Sequence, residues 1–352
     1  MIEPTKHAKG SFLIMDKQTY AQKTTKILET LPEFCQDFIY GRGTENAYSS
    51  MHEYARDISY FFDWLILNHK DFDELEKKNI TIRDLDNIST DDINRYLVSI
   101  GRNVEKRTQA RKKASISILF SYLVSKRGLK KNPMEGSSKV KIEEKELVYL
   151  TDEEQERFLD CVYHGTGMTK RQLKHHEHYK LRDYVIYELL LDTGLRVSEL
   201  TGIDIRDVDT ESFNVSVTRK GGNSELVYYG DLSAELLDML ITKRRTEGAD
   251  DHSPLFIASN GGRISVRMVE QMTKKYAALS VPQKADKISP HKMRSSFAMT
   301  LYKNSKNNLL LVQKRLSHKN ITTTNIYAKA TKDDIIKSRN LNSEGKSENP
   351  FA

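Results

Sequence analysis

Apolar side chains recur at three- and four-residue spacing through most of this 352-residue chain and alternate with polar ones in a single place. That contrast limits the fold more than any other feature. A period near 3.6 buries one face of a helix, whereas a period of two buries one face of a strand. The chain therefore reads as mainly α with a small antiparallel β-sheet. Over 47–67, Met51, Tyr54, Ala55, Ile58, Phe61, Phe62 and Leu65 form one helical stripe. An earlier helix, about 20–40, carries Ile27, Leu28, Leu31, Phe34 and Phe38, and Pro32 must bend or restart it. Ser89 or Thr90 caps a helix with Ile93, Tyr96, Leu97 and Ile100. A fourth helix, about 104–126, presents Ile116, Leu119, Phe120 and Leu123 and stops at Gly128. These stripes are the core of an N-terminal helical bundle.

Residues 132–138, Asn-Pro-Met-Glu-Gly-Ser-Ser, have the composition of a domain boundary. Thr151 followed by Glu154 is a capping box that opens a second domain. A polar stretch, His164 to Lys180, is expected to interrupt the chain before an apolar helix around 184–191. Phe213, Val215 and Val217 then alternate, residues 220–223 turn, and Leu226 and Tyr228 follow, a β-hairpin with Lys220 at its tip. Helices are expected again over 233–244, 265–279, 289–303 and 309–316. The division that follows is an N-terminal tail (1–20), a helical domain (21–135), a linker (136–149), a second domain (150–330) and a C-terminal helix with a tail (331–352).

Composition removes several classes. No run of about 18 apolar residues exists, so a transmembrane helix is excluded. The apolar stretch Phe12 to Met15 is too short for a signal peptide. Two cysteines, Cys35 and Cys161, are too few for a disulfide framework or a structural zinc site. The expectation is a cytoplasmic protein. The net charge of +7 decides little, but its distribution decides more. Residues 102–131 hold ten Lys or Arg against Glu105 alone, and 284–319 hold nine against Asp286 alone. Two such segments fit either two surfaces gripping one polyanion or two solvated helix faces.

Three short segments could carry chemistry. In Ser289-Pro290-His291-Lys292-Met293-Arg294, Ser and Pro mark a helix start, and His291 and Arg294 share a face three residues apart. A helix N-terminus with a guanidinium is an anion clamp, although an ordinary surface helix has the same pattern. In Thr193-Gly194-Leu195-Arg196-Val197-Ser198-Glu199-Leu200, Gly194 fits a left-handed helix end. Arg196, directly after a buried helix, is expected to be paired, with Glu199 as the candidate, or directed into a cleft, and the two are not exclusive. In 316–327, His318 and Tyr327 lie nine residues apart in a Thr-rich element. A phenol, with an ordinary pKa near 10, becomes a nucleophile only beside a base and cations. The run His175-His176-Glu177-His178 lacks the spacing of a helical metal pair and reads as a solvated segment. The Gly-x-Gly fragments at 41–43 and 165–167 lack a nucleotide-binding context, and no Walker-type phosphate loop occurs.

Taken together, TGLRVSEL (193–200), a hairpin lysine, HKMR (291–294), LSH (316–318) and the later tyrosine resemble the tyrosine recombinase (phage integrase) family. The match spans the second half in the family's order and is most similar to the Xer-type recombinases, especially the single-recombinase XerS-like subgroup. The resemblance implies a SAM-like core-binding domain followed by a mixed α+β catalytic domain. It implies Tyr327 as nucleophile, Arg196 and Arg294 as phosphate clamps, Lys220 as general acid, His291 as acid/base and His318 as a donor to the phosphate. It also implies a 3′-phosphotyrosyl intermediate, exchange through a Holliday junction, no metal or other cofactor, and a homotetramer on a specific duplex site, joined through the C-terminal helix. Arg107, Arg111, Lys112, Lys113 and Lys292 are the expected DNA contacts, to phosphates before bases. A Xer role implies chromosome dimer resolution at the nucleoid, with an accessory activator as an option. A mobile-element integrase, a type IB topoisomerase and a DNA-binding regulator with an idle site are the competing readings. Two departures from the family stand out: Ser317 where glycine is common, and the lengthened polar stretch 164–180.

Overall fold

A computed structural model of the chain describes residues 7–43, 48–143, 146–219, 223–317 and 324–329, with only the backbone course for 7–17 and 329. The chain divides into two compact units, Met1–Glu144 and Lys145–Ala352.

The first unit is helical: α1 (His7–Leu28), α2 (Glu33–Gly41), α3 (Tyr48–Asn68), α4 (Ile82–Leu85), α5 (Thr90–Gly101) and α6 (Lys106–Arg127). Pro32 does separate two helices; it stands at the N-cap of α2 because its ring cannot continue the hydrogen-bond ladder of α1. Helix α1 starts at His7, so 7–20 is helix where a tail was expected, and its later part packs on α3 through Tyr20 and His52. Ser89 caps α5, its hydroxyl accepting from Asp92 N–H while the Asp92 carboxylate accepts from Ser89 N–H. Gly128 ends α6 with φ 75°. The aromatic core is built on Phe61, whose ring meets Tyr96 at 4.9 Å and Phe120 at 5.9 Å.

Asp57 of α3 is 0% exposed within this core. Its carboxylate accepts from Arg111 (2.5 and 3.1 Å), Lys112 (3.2 Å) and Ser115 (2.9 Å) of α6. The Lys112 ammonium also lies 4.2 Å from the centre of the Tyr60 ring. Lys112 is thus an interior residue, and its expected place among DNA contacts is corrected: helix α6 turns about 100° per residue, and 112 falls on the packed face.

The second unit runs α7 (Asp152–His164), α8 (Lys170–Thr193), α9 (Val197–Thr201), β1 (Val208–Asp209), β2 (Asn214–Thr218), β3 (Ser224–Tyr228), α10 (Asp231–Thr246), α11 (Val266–Ser280), α12 (Pro290–Asn304), α13 (Leu309–Leu316) and α14 (Asn325–Lys329). The three strands form an antiparallel sheet in the order β1-β2-β3, with Val217 opposite Glu225 and Thr218 opposite Ser224. Lys220, at the expected hairpin tip, lies outside the described residues. Thr151 and Glu154 form the capping box of α7. The polar stretch does not interrupt the helix: a Thr169–Gln172 capping box starts α8 at Lys170 and carries one helix through to Thr193. His176 consequently faces inward, 1% exposed, with its Nε2 2.7 Å from the Val162 carbonyl oxygen, so the solvated reading holds for His175 and His178 but not for it. Cys35 and Cys161 are buried free thiols. The C-terminal helix and tail expected over 331–352 also lie outside the described residues.

Trp64, the sole tryptophan, sits in the first unit, so its fluorescence reports that unit's unfolding. Asp57→Ala leaves a buried ammonium without its partner and is expected to cost about 3–5 kcal/mol in a urea titration. A loss under about 1 kcal/mol would mean that the cluster does not hold the bundle together.

Candidate active site

The site begins where α8 ends. Gly194 takes φ 64°, and a Cβ there would lie 2.4 Å from Phe297 Cδ1 and 3.0 Å from Leu316 Cδ2, so only glycine lets the chain turn this close to α12 and α13. The tight turn aims the Gly194 carbonyl at Arg294, whose Nη1 donates to it at 2.5 Å. The other arm of that guanidinium, Nη2, donates to the Leu316 carbonyl at 2.5 Å. Arg294 is 3% exposed and joins the ends of α8 and α13 from inside. Its pKa is pushed down to about 10, first by burial and then by the charges of Arg196 and Arg219, with Glu199 opposing.

Arg196 stands at the N-cap of the short α9, and the expected pairing with Glu199 is present. Its guanidinium pairs with Glu199 at 2.8 Å while its side chain stays 43% exposed. Glu199 is buried, and its carboxylate also accepts from Arg196 N–H (2.8 Å) and Arg219 Nη1 (2.7 Å). Burial raises the Glu199 pKa, but these donors outweigh it, so the carboxyl is held below its ordinary range.

Pro290 stands at the first position of α12, with Ser289 at the N-cap, although the Ser289 hydroxyl makes no capping bond. His291 reaches solvent in the first turn. Desolvation lowers its pKa below 6.5, and the charges of Lys292, Arg294 and Arg196 lower it further, so the imidazole is neutral at neutral pH. Tyr327, on α14, is 4% exposed and packs with Phe297, Met299, Val312 and Leu316. Burial raises its pKa, and the nearby Arg294 charge and then a hydrogen bond with Ser295 partly offset that. The charge of Arg294 thus acts on Arg196, on His291 and on Tyr327, which sets residues of α9, α12 and α14 in one neighbourhood.

Lys220 and His318 lie outside the described residues, but their chain neighbours touch: Arg219 Nη2 donates to the Ser317 hydroxyl at 3.2 Å. Arg219 and Ser295 are site residues that motif reading missed. The one available signal for Arg219 was the opposite charge at Glu225, across the hairpin. Of the expected DNA contacts, Arg107 is exposed and Lys292 half-exposed. Arg111 pairs with Glu53 and Asp57, and Lys113 donates to the carbonyls of Ser137 and Ser138.

The outcome is a basic cluster around one buried acid, next to a phenol. Residues 166–334 match the phage integrase family. Tyrosine recombinase XerC of Pelobacter propionicus is 30% identical over 256 residues, 73% of this chain and 78% of that protein. Tyrosine recombinase XerS of Streptococcus mutans is 24% identical over 355 residues, 91% of this chain and 98% of that protein. The crystal structure of XerH site-specific recombinase bound to palindromic difH substrate superposes with a TM-score of 0.63 at 19% identity, over 84% of this chain and 80% of that one. The fold is therefore that of the tyrosine recombinases, and the chain belongs to the phage integrase family.

Proposed function

We propose that this chain is a Xer-type recombinase that cuts and rejoins duplex DNA at a specific site, with Tyr327 as nucleophile. The observation that carries the reading is the buried Arg294 guanidinium. Among the described residues its hydrogen-bond partners are two carbonyls rather than a carboxylate, and it stands beside Arg196 and next to Tyr327. A buried cation with neutral partners favours an anion, and a phosphodiester supplies one.

In this reading the phenolic oxygen of Tyr327 attacks phosphorus, and its proton passes to the neutral His291. A phosphorus–oxygen bond to Tyr327 forms as the bond to the 5′ oxygen breaks. Lys220 protonates that departing oxygen. Negative charge grows on the non-bridging oxygens, where Arg196, Arg294 and His318 stabilise it. The 3′-phosphotyrosyl link conserves the bond for rejoining to a second strand, through a Holliday junction, without ATP. Four copies on two duplexes, joined through their C-terminal helices, would carry out the exchange. Likeness to XerS along nearly all of both chains supports chromosome dimer resolution as the role. Arg107 and Lys292 remain the proposed phosphate contacts, which makes affinity steeply salt-dependent.

Capture of the chain from its host under denaturing conditions, followed by sequencing of the attached strand, is expected to return one DNA site linked by a 3′ phosphate to the peptide carrying Tyr327. Tyr327→Phe should return none. Random attachment, or a linkage elsewhere, would sink the reading. On a nicked duplex of that site, Arg196→Ala should slow single-turnover cleavage by about 10²–10³, the usual cost of one charge-stabilising donor. The same rate as wild type would remove Arg196 from the mechanism. In an NMR titration, the His291 imidazole should have its midpoint below 6.5 in the free protein. The midpoint should rise when DNA binds, because the phosphate offsets the surrounding positive charge. A midpoint at or above the ordinary value in the free protein would exclude His291 as a base that is neutral at rest.

A further inference from the structure

One guanidinium outside the phosphate clamp connects three segments of the site. Arg219 follows the end of β2, its side chain only 11% exposed. Its Nη1 donates to Glu199 at 2.7 Å, and Nε and Nη2 donate to the two oxygens of Glu225 at 2.9 and 3.3 Å. Nη2 also donates to the Ser317 hydroxyl, which in turn donates to Glu225. The Arg219 N–H closes the hairpin by donating to the Asn223 carbonyl at 2.8 Å.

With its donors so engaged, Arg219 is poorly placed to hold a phosphate. It does control where the next residue starts. Lys220 follows it directly in the chain, so a fixed Arg219 fixes the root from which that lysine extends. The partners on the far side are the two that matter. Glu199 holds Arg196, and Ser317 precedes His318. Ser317 adopts φ 49° and ψ 43°, a backbone that a serine adopts only at a cost. Its hydroxyl, bonded to both Arg219 and Glu225, is what a glycine could not supply.

We propose that Arg219 is a positioning residue for the reaction: through Glu199, Glu225 and Ser317 it holds the end of β2 in register with Arg196, and the proton transfer assigned above to Lys220, the next residue in the chain, depends on that register. This rests on the recombinase reading above, with Lys220 as the proton donor. A lysine at 219 keeps the charge but loses the fork that reaches three partners at once.

The test compares two nicked duplexes, one ordinary and one with sulfur in place of the bridging 5′ oxygen at the cleaved phosphate. A thiolate, the conjugate base of a much stronger acid than an alcohol, leaves without needing a proton. Wild type must first form the covalent complex on the ordinary duplex; if it does not, the recombinase reading itself fails, whatever the variants do. Given that, Arg219→Lys and Ser317→Gly are expected to bind DNA with unchanged affinity. Arg219→Lys should cleave the ordinary duplex more slowly by up to about 10²-fold, the cost of a misplacement near 1 Å, and Ser317→Gly by a smaller factor. On the sulfur duplex both should return to within a few-fold of wild type. Ser317→Gly also relieves a left-handed serine, so its melting temperature should hold or rise while its cleavage slows, opposite to what a purely structural role gives. Wild-type rates in both variants, or equal losses on the two duplexes, overturn the proposal.

Discussion

The second unit depends on the bonds from Arg294 to the carbonyls of Gly194 and Leu316. A helix end leaves carbonyls without intrahelical partners, and buried carbonyls must find donors elsewhere. Here one side chain of α12 serves the ends of both α8 and α13. The arrangement does two things at once. It satisfies acceptors that would otherwise be unpaired in the interior, and it holds a positive charge to which, among the described residues, no carboxylate bonds directly. Gly194 is what makes the approach close enough, since any Cβ there would meet the Phe297 ring.

A cluster of Arg196, Arg219 and Arg294 would repel itself without a counter-charge. Glu199 supplies one, and it bonds to Arg196 and Arg219 but not to Arg294. Arg196 keeps part of its surface free for a ligand, while Arg219 is turned inward among acceptors. The same kind of local accounting separates the basic residues of α6. Arg111 and Lys112 neutralise Asp57 inside the bundle, whereas Arg107 remains exposed. Counting charges along a segment therefore overstates how many of them can face a polyanion.

Much of the fold was legible because the signals were local. The N-cap at Ser89 or Thr90, the capping box at Thr151, the proline restart at 32 and the left-handed glycines at 128 and 194 each involve residues within a few positions of one another. The errors also have local causes. The polar stretch hides the Thr169–Gln172 box, so that periodicity alone starts α8 too late, and only the helical turn brings His176 inside. Helix α1 reaches back to His7 through a segment whose composition resembled a tail.

The sequence by itself determined the elements, their order, and which residue types could carry phosphate chemistry, because periodicity, caps and motif spacing are properties of neighbouring positions. Only the tertiary structure decided which of the many cations are available. It buried Lys112 against Asp57, turned Arg219 to Glu199, Glu225 and Ser317, and set Arg294 between two helix ends. The physical reason is that a charge's role depends on its partners and its exposure to water, and here those partners lie from six to a hundred positions away in the chain.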